Sequence, residues 1–191
     1  MTTLVRRPIV RGVLLLCLGT LSPASAGPQE GWRDGQIFDR VAEAVLTYPQ
    51  YTIFDDVSAD VANGFVTLAG KVTIEYKRKD LARRVAQVPG VKEVENAITV
   101  LPASAFDDDV RYAVARAIYG HASFWHYASM TNPPIHVIVE RGRLTLTGVV
   151  ANEVERSLAR SIAASSNAFS VSIELKTDDE MKAILLRRRQ R

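Results

Sequence analysis

The feature that most limits what this chain can fold into is an internal duplication. Ile37, Val41, Ala44 and Val45 are spaced so that they share one helical face, and Val110, Val114, Ala117 and Ile118 repeat the spacing. Asp34 and Asp107 stand where the N-cap of each helix would be, with a carboxylate favourable at a helix start. Further on, Asn63-Gly64-Phe65-Val66-Thr67-Leu68-Ala69-Gly70-Lys71-Val72 aligns with Arg141-Gly142-Arg143-Leu144-Thr145-Leu146-Thr147-Gly148-Val149-Val150. Val66, Leu68 and Val72, like Leu144, Leu146 and Val150, alternate as the buried face of a strand does. Asn63-Gly64 and Arg141-Gly142 are turn pairs. The strand before each turn carries Val57, Ala59 and Val61, or Ile135, Val137 and Val139. Gly70 and Gly148 inside a strand point to a bulge or a close backbone approach.

A second helix follows in each copy, with Leu81, Ala82, Val85 and Ala86 matching Leu158, Ala159, Ile162 and Ala163. A last strand runs through Val94, Asn96, Ile98 and Val100, and again through Val171, Ile173 and Leu175. Pro89-Gly90-Val91 breaks the first copy's second helix; Ser166-Asn167-Ala168 takes that place in the second copy, with Asn167 the residue next best suited to positive φ. The expected fold class is α+β: two tandem small two-layer domains, each helix–strand–strand–helix–strand, over 34–101 and 107–176. The linker, 102–106, is short enough that the two units should touch. Residues 177–191 form a basic C-terminal helix or tail, opening on a Thr177–Glu180 capping box.

The first residues are set apart from the fold. Arg6, Arg7 and Arg11 precede a short apolar run from Val13 to Leu21, and Ala24 and Ala26 supply small residues for cleavage after Ala26. The segment 1–26 reads as a signal peptide; an uncleaved anchor is the alternative, although the run is shorter than the roughly 20 residues a span needs. Arg6-Arg7 leaves general and twin-arginine export both open. The whole chain has 24 basic and 21 acidic side chains; without the leader's three arginines the balance is 21 against 21. Five of the remaining positives lie between Lys182 and Arg191, so the body is mildly acidic and gives no support for nucleic-acid binding. The one cysteine, Cys17, falls in the leader, which leaves no disulfide to staple two small cores.

The order Asp-x-x-Ile-x-x-x-Val-x-x-Ala-Val, then the Asn-Gly turn between alternating strands, then Pro-Gly-Val-x-x-Val-x-Asn, running from Asp34 to Asn96, resembles a BON domain. It is similar to the repeats of osmotically inducible periplasmic proteins. The second copy is more divergent, lacking the Gly-Val pair and carrying an insertion between its first helix and first strand. The resemblance implies a phospholipid-associated or envelope-interaction module with no known catalysis; no cofactor is expected, and the leader points to the periplasm. The resemblance supplies no catalytic residue.

The residues agree with a non-catalytic reading. His121, His126 and His136 lack the spacing of a metal pair and read as surface or loop histidines. Asp107-Asp108-Asp109 lacks the spaced oxygens and glycine of a calcium loop. No nucleophile elbow or phosphate loop is present. Two surfaces are candidates for binding. On the second helix of the first copy, Tyr76, Lys79 and Arg83 project about 140–160° from Leu81, while Lys77, Arg78 and Arg84 flank the buried stripe. Tyr76, Lys77, Lys79, Arg83 and Arg84 would suit anionic headgroups, or the face is merely solubilising. In the insertion, Phe124, Trp125 and Tyr127, with Met130, are either tucked over the core or offered to a partner or membrane interface. The partners in view are membrane phospholipid headgroups or an envelope protein, with no transmembrane span once the leader is removed.

Overall fold

A computed structural model describes residues 33–189, with side chains as far as Arg187. The leader expected over 1–26 lies outside these residues, as do Gln190 and Arg191. Repeat one comprises α1 (Asp34–Leu46), β1 (Asp56–Ala62), β2 (Phe65–Val72), α2 (Glu75–Ala86) and β3 (Glu93–Val100). Repeat two comprises α3 (Ala105–Tyr119), the short α4 (Trp125–Ala128), β4 (Ile135–Glu140), β5 (Arg143–Val150), α5 (Glu153–Ala164) and β6 (Ser170–Thr177), and α6 (Asp178–Arg189) ends the described chain. Each repeat builds one three-stranded sheet, ordered β1-β2-β3 and β4-β5-β6. The hairpin partners are antiparallel, and the third strand, returning through α2 or α5, is parallel to the middle one.

Alternation decides which face is buried. Val66, Leu68 and Val72 of β2 and Leu144, Leu146 and Val150 of β5 are buried against the helices, with Ile37, Val41, Leu81 and Val85 completing one core and Val114, Ile118, Ala159 and Ala163 the other. The fold class expected from the duplication is the one observed: a mixed α+β chain of two similar units.

The two aspartates do more than begin their helices. Arg33 and Ser104, not Asp34 and Asp107, hold the N-cap positions. The carboxylate of Asp34 reaches the hairpin turn and accepts from the N–H groups of Asn63 (2.7 Å) and Gly64 (3.0 Å). Asp107 does the same for Arg141 (2.8 Å) and Gly142 (2.7 Å). Both turns hold left-handed residues, with φ of 55° and 83° at Asn63 and Gly64 and 53° and 74° at Arg141 and Gly142. Their outward-turned N–H groups form the small anion-binding concavity that a carboxylate fills. The expected close approach at Gly70 and Gly148 is also present: φ is 127° and 108°, and a Cβ there would collide with the carbonyls of Asp56 and Pro134. Asn167, by contrast, keeps a negative φ; its connection, 165–169, is one residue shorter than 87–92, where Gly90 turns at φ 93°.

The repeats meet along the outer edge of β4. Val137 N–H donates to Ile53 O at 2.7 Å, His136 Nδ1 donates to Asp55 O at 2.6 Å, and Phe54 packs edge-on against Tyr112 of α3 at 5.1 Å. The strand alternation put His136 outward, which it is; outward here means the joint between repeats, half-buried against Tyr51. The expected linker shrinks, because α3 already begins at Ala105.

Two outcomes follow. Asp107 is 1% exposed whereas Asp34 is half-buried, and a charge-assisted bond is worth about 1.5–3 kcal/mol. Asp107→Ala should therefore cost about 3 kcal/mol in urea unfolding, and Asp34→Ala nearer 1 kcal/mol; equal losses would contradict the staple. Burial, first, and then hydrogen bonds to Asp80 and Glu155 push the Tyr48 and Tyr127 phenols up to about 12, and burial also raises Tyr51 and Tyr119. A raised phenol stabilises fully below its unfolded value near 10 and ceases to do so as pH rises through the folded value. The urea midpoint should hold to about pH 9 and fall steeply between about 10 and 12.

Candidate functional site

The basic helix α2 is built on Leu81 and Val85, both fully buried. Ile74, in extended conformation, is its N-cap, and Glu75 lies in its first turn and Arg83 and Arg84 in its last, as the helix dipole favours. The five candidates on it separate into distinct roles. Lys79 and Arg83 project outward, with side chains 65% and 70% exposed. Tyr76 is exposed beside them, and its hydroxyl bonds to the Gln50 side chain. Arg84 lies back across α1: Nε donates to Ala44 O at 3.1 Å, Nη2 donates to Thr47 Oγ1 at 3.2 Å, and the guanidinium sits 5.7 Å over the Tyr48 ring. Arg84 is thus partly a structural tie.

Lys77 is a correction to the surface drawn from the sequence. It is 4% exposed, and its ammonium donates to Asp55 Oδ2 at 2.6 Å and to Thr73 Oγ1 at 2.8 Å. Asp55 is fully buried and also accepts from the backbone N–H and hydroxyl of both Thr52 and Thr73. A buried charge persists only when paired and hydrogen-bonded, and every oxygen here is satisfied. Lys77 stands one helical turn before Leu81 and two before Val85, the spacing of the core stripe; that spacing was the signal for its burial.

The outward charges are partly matched. Glu75 pairs with Arg78 at 2.6 Å and Lys79 at 3.7 Å, and the Arg78 hydrogen bond holds its carboxyl below the usual carboxylate range. Asp80 pairs with Arg83 at 3.1 Å and accepts from Tyr48. Two acids against Arg78, Lys79, Arg83 and Arg84 leave the face cationic. Beside it, an open cleft of about 240 Å³ between the C-terminal ends of α1 and α2 is lined by Arg40, Glu43, Thr47, Arg84 and Gln87.

In the insertion, the large apolar residues divide between core and solvent. Phe124 and Tyr127 are in the core, with Tyr127 Oη donating to Glu155 at 2.8 Å and accepting from Ala151 N–H at 3.1 Å. Trp125, 70% exposed, and Met130 face solvent. The tail has its expected capping box: Thr177 N–H donates to Glu180 at 2.9 Å, and Glu180 N–H donates to Thr177 Oγ1 at 3.3 Å. Beyond expectation, Met181, Ile184 and Leu185 of α6 line an apolar groove of about 320 Å³ with Phe38, Leu46 and Val57 of repeat one.

Among the described residues, no three ligating side chains come together as a metal site would require, and no helix is long and apolar enough to cross a membrane. No curated protein matches the chain. Solved structures similar to it include the C-terminal domain of CdsD, the structural protein of the type III secretion system of Chlamydia trachomatis, at 14% identity and a TM-score of 0.32, covering 76% of this chain and 68% of that one. A second structural study of CdsD from Chlamydia trachomatis matches at 15% identity and a TM-score of 0.25, covering 78% and 96%. The family comparison bears directly on the repeats: residues 33–102 and 125–169, more than half of the chain, match the BON domain model. This chain, with its twice-written helix–strand–strand–helix–strand unit, belongs to the BON domain family.

Proposed function

We propose that this is an exported, non-catalytic protein of the bacterial cell envelope that holds anionic phospholipid surfaces through the outward face of α2, supporting membrane integrity under osmotic or envelope stress. The observation that carries the reading is the pairing of Lys79 and Arg83, both mostly exposed, with the exposed ring of Tyr76 on a helix whose charges are cationic in excess. Cations near an anionic leaflet contribute about 1 kcal/mol each, and an aromatic with a polar tip suits the headgroup level. BON domains are associated with phospholipid binding and with osmotic-stress proteins, which supports the same assignment. Arg84 contributes from the rim of its cleft, and Lys77 has no part in it. Export to the periplasm rests on Arg6, Arg7, Arg11 and the Ala24–Ala26 cleavage site.

A second reading, an adaptor that binds another envelope protein, is favoured by one observation: Trp125 and Met130 stand in solvent beside a core that already holds Phe124 and Tyr127. An exposed large aromatic is the residue type that anchors interfaces.

The test is co-sedimentation of the chain, purified after export, with phosphatidylglycerol-containing liposomes in low salt. Lys79→Glu with Arg83→Glu should weaken binding by about 30-fold, the effect of two contacts of about 1 kcal/mol. Unchanged binding rules this face out. Unchanged liposome binding together with a protein pull-down lost in Trp125→Ala favours the adaptor.

A further inference from the structure

Two three-stranded sheets present four outer edges, and at three of them an identifiable contact partly closes the run of outward backbone groups. The β4 edge takes the Ile53 carbonyl on Val137 N–H. At the β1 edge, Val57 N–H donates to the Tyr51 hydroxyl at 3.2 Å, and α6 lies alongside through Met181 and Ile184. At the β3 edge the Asn96 side chain folds along its own strand: Oδ1 accepts from Ile98 N–H at 3.2 Å, and Nδ2 ties across to Arg78 O on α2 at 2.9 Å.

The β6 edge has no such closure along most of its length. Asn96 is the register partner of Leu68, and its counterpart, the partner of Leu146, is Ile173, which has no amide to turn back. The outward direction is fixed by two bonds at the strand's end: Leu175 O accepts from Arg156 Nη1 at 3.2 Å, and Thr177 N–H goes to Glu180. Strand alternation then turns the backbone groups of Val171 and Ile173 outward too. Among the described residues, the N–H groups of Val171, Ile173 and Leu175 and the carbonyls of Val171 and Ile173 meet no protein partner on this side. An exposed run of unpaired strand groups is a template for another strand.

We propose that the β6 edge pairs antiparallel with the β6 edge of a second copy of this chain, about a two-fold axis at Ile173. The open groups are self-complementary under that operation. Ile173 exchanges both hydrogen bonds with its copy, and Val171 does so with the copy's Leu175, whose carbonyl has a second lone pair beside Arg156. The apolar pairs become Ile173 with Ile173 and Val171 with Leu175. On the open face Ser172 meets Glu174 and Ser170 meets Lys176, so no like charges stand directly opposed. Val154, 76% exposed, lies in the α5 turn that carries Arg156, and Phe169, 77% exposed and stacked on Phe106, lies just before β6. The two-fold places Phe169 of one copy opposite Thr177 of the other, at the end where that turn lies. From Thr177, α6 runs toward repeat one, and its first turn touches the edge through Glu180, which takes Thr177 N–H and pairs with Arg156. The pairing joins the two three-stranded sheets, one from each copy, into one of six strands, about a two-fold axis, the commonest symmetry of closed assemblies.

This inference is independent of the lipid reading. Its test is sedimentation equilibrium of the chain, purified after export and without lipid. The wild type should show a reversible monomer–dimer equilibrium. Ile173→Asn, which copies the Asn96 contact of repeat one, should shift it to monomer with the far-UV circular dichroism of the folded chain retained. On the exposed face, Ser172→Lys should tighten the dimer and Ser172→Glu, set against Glu174, should loosen it, with dissociation constants at least about tenfold apart. A monomer at every concentration up to about 1 mM, or equal constants for the two Ser172 variants, overturns the proposal.

Discussion

The arrangement of the two repeats depends on one buried carboxylate. Asp55 accepts hydrogen bonds from Thr52, Thr73 and Lys77 with no exposure to water. These bonds tie the segment before β1 to the start of α2, and so fix the shape of residues 52–55. That same segment offers Ile53 O and Asp55 O to β4 of the next repeat. A buried ion pair is weak evidence of stability for its own sake, because desolvation offsets much of its attraction. What it does well is specify one geometry, and here that geometry is the joint. Lys71 and Glu140 add an ion pair across the same junction, at 2.5 Å, and Lys71 holds the Glu140 carboxyl below the usual carboxylate range. Both side chains are partly exposed, so this pair adds little beside Asp55.

The duplicated fold solves the same local problem twice with different residues. Each hairpin turn is held from the opposite layer by an aspartate at the start of a helix. The Asn96 side chain that covers Ile98 N–H on the third strand of repeat one, by contrast, has no counterpart in repeat two, where Ile173 stands. The repeats have kept what makes the unit fold and diverged in what its edges and loops present. Repeat one carries the cationic helix, and repeat two carries the exposed Trp125 and the open strand.

Periodic features were legible in the sequence because burial on one face leaves a period of two or 3.6 that needs no partner to be seen. Val66, Leu68, Leu144 and Leu146 are buried on that account. Features that depend on a partner distant in the chain were not. Lys77 has its carboxylate 22 residues upstream, in a connection without periodicity, so its place on the core stripe was read as a flank. Asp34 and Asp107 were seen at helix starts, but their acceptor role toward turns 29 to 35 residues away came only with the fold. The insertion could not be apportioned between core and solvent because α4 is a single turn, too short to show a face.

The account stands on the claim that Asp55 holds residues 52–55 in place to pin the β4 edge. Amide hydrogen exchange at Val137 measures this directly, since its N–H is the one bonded to Ile53 O. Val137 should be protected in the native chain, and in Asp55→Asn it should exchange on the order of 100-fold faster while Leu146, in the core of repeat two, keeps its protection. If Val137 exchanges at the same rate in both chains, Asp55 does not hold the joint and the two repeats are positioned by something else.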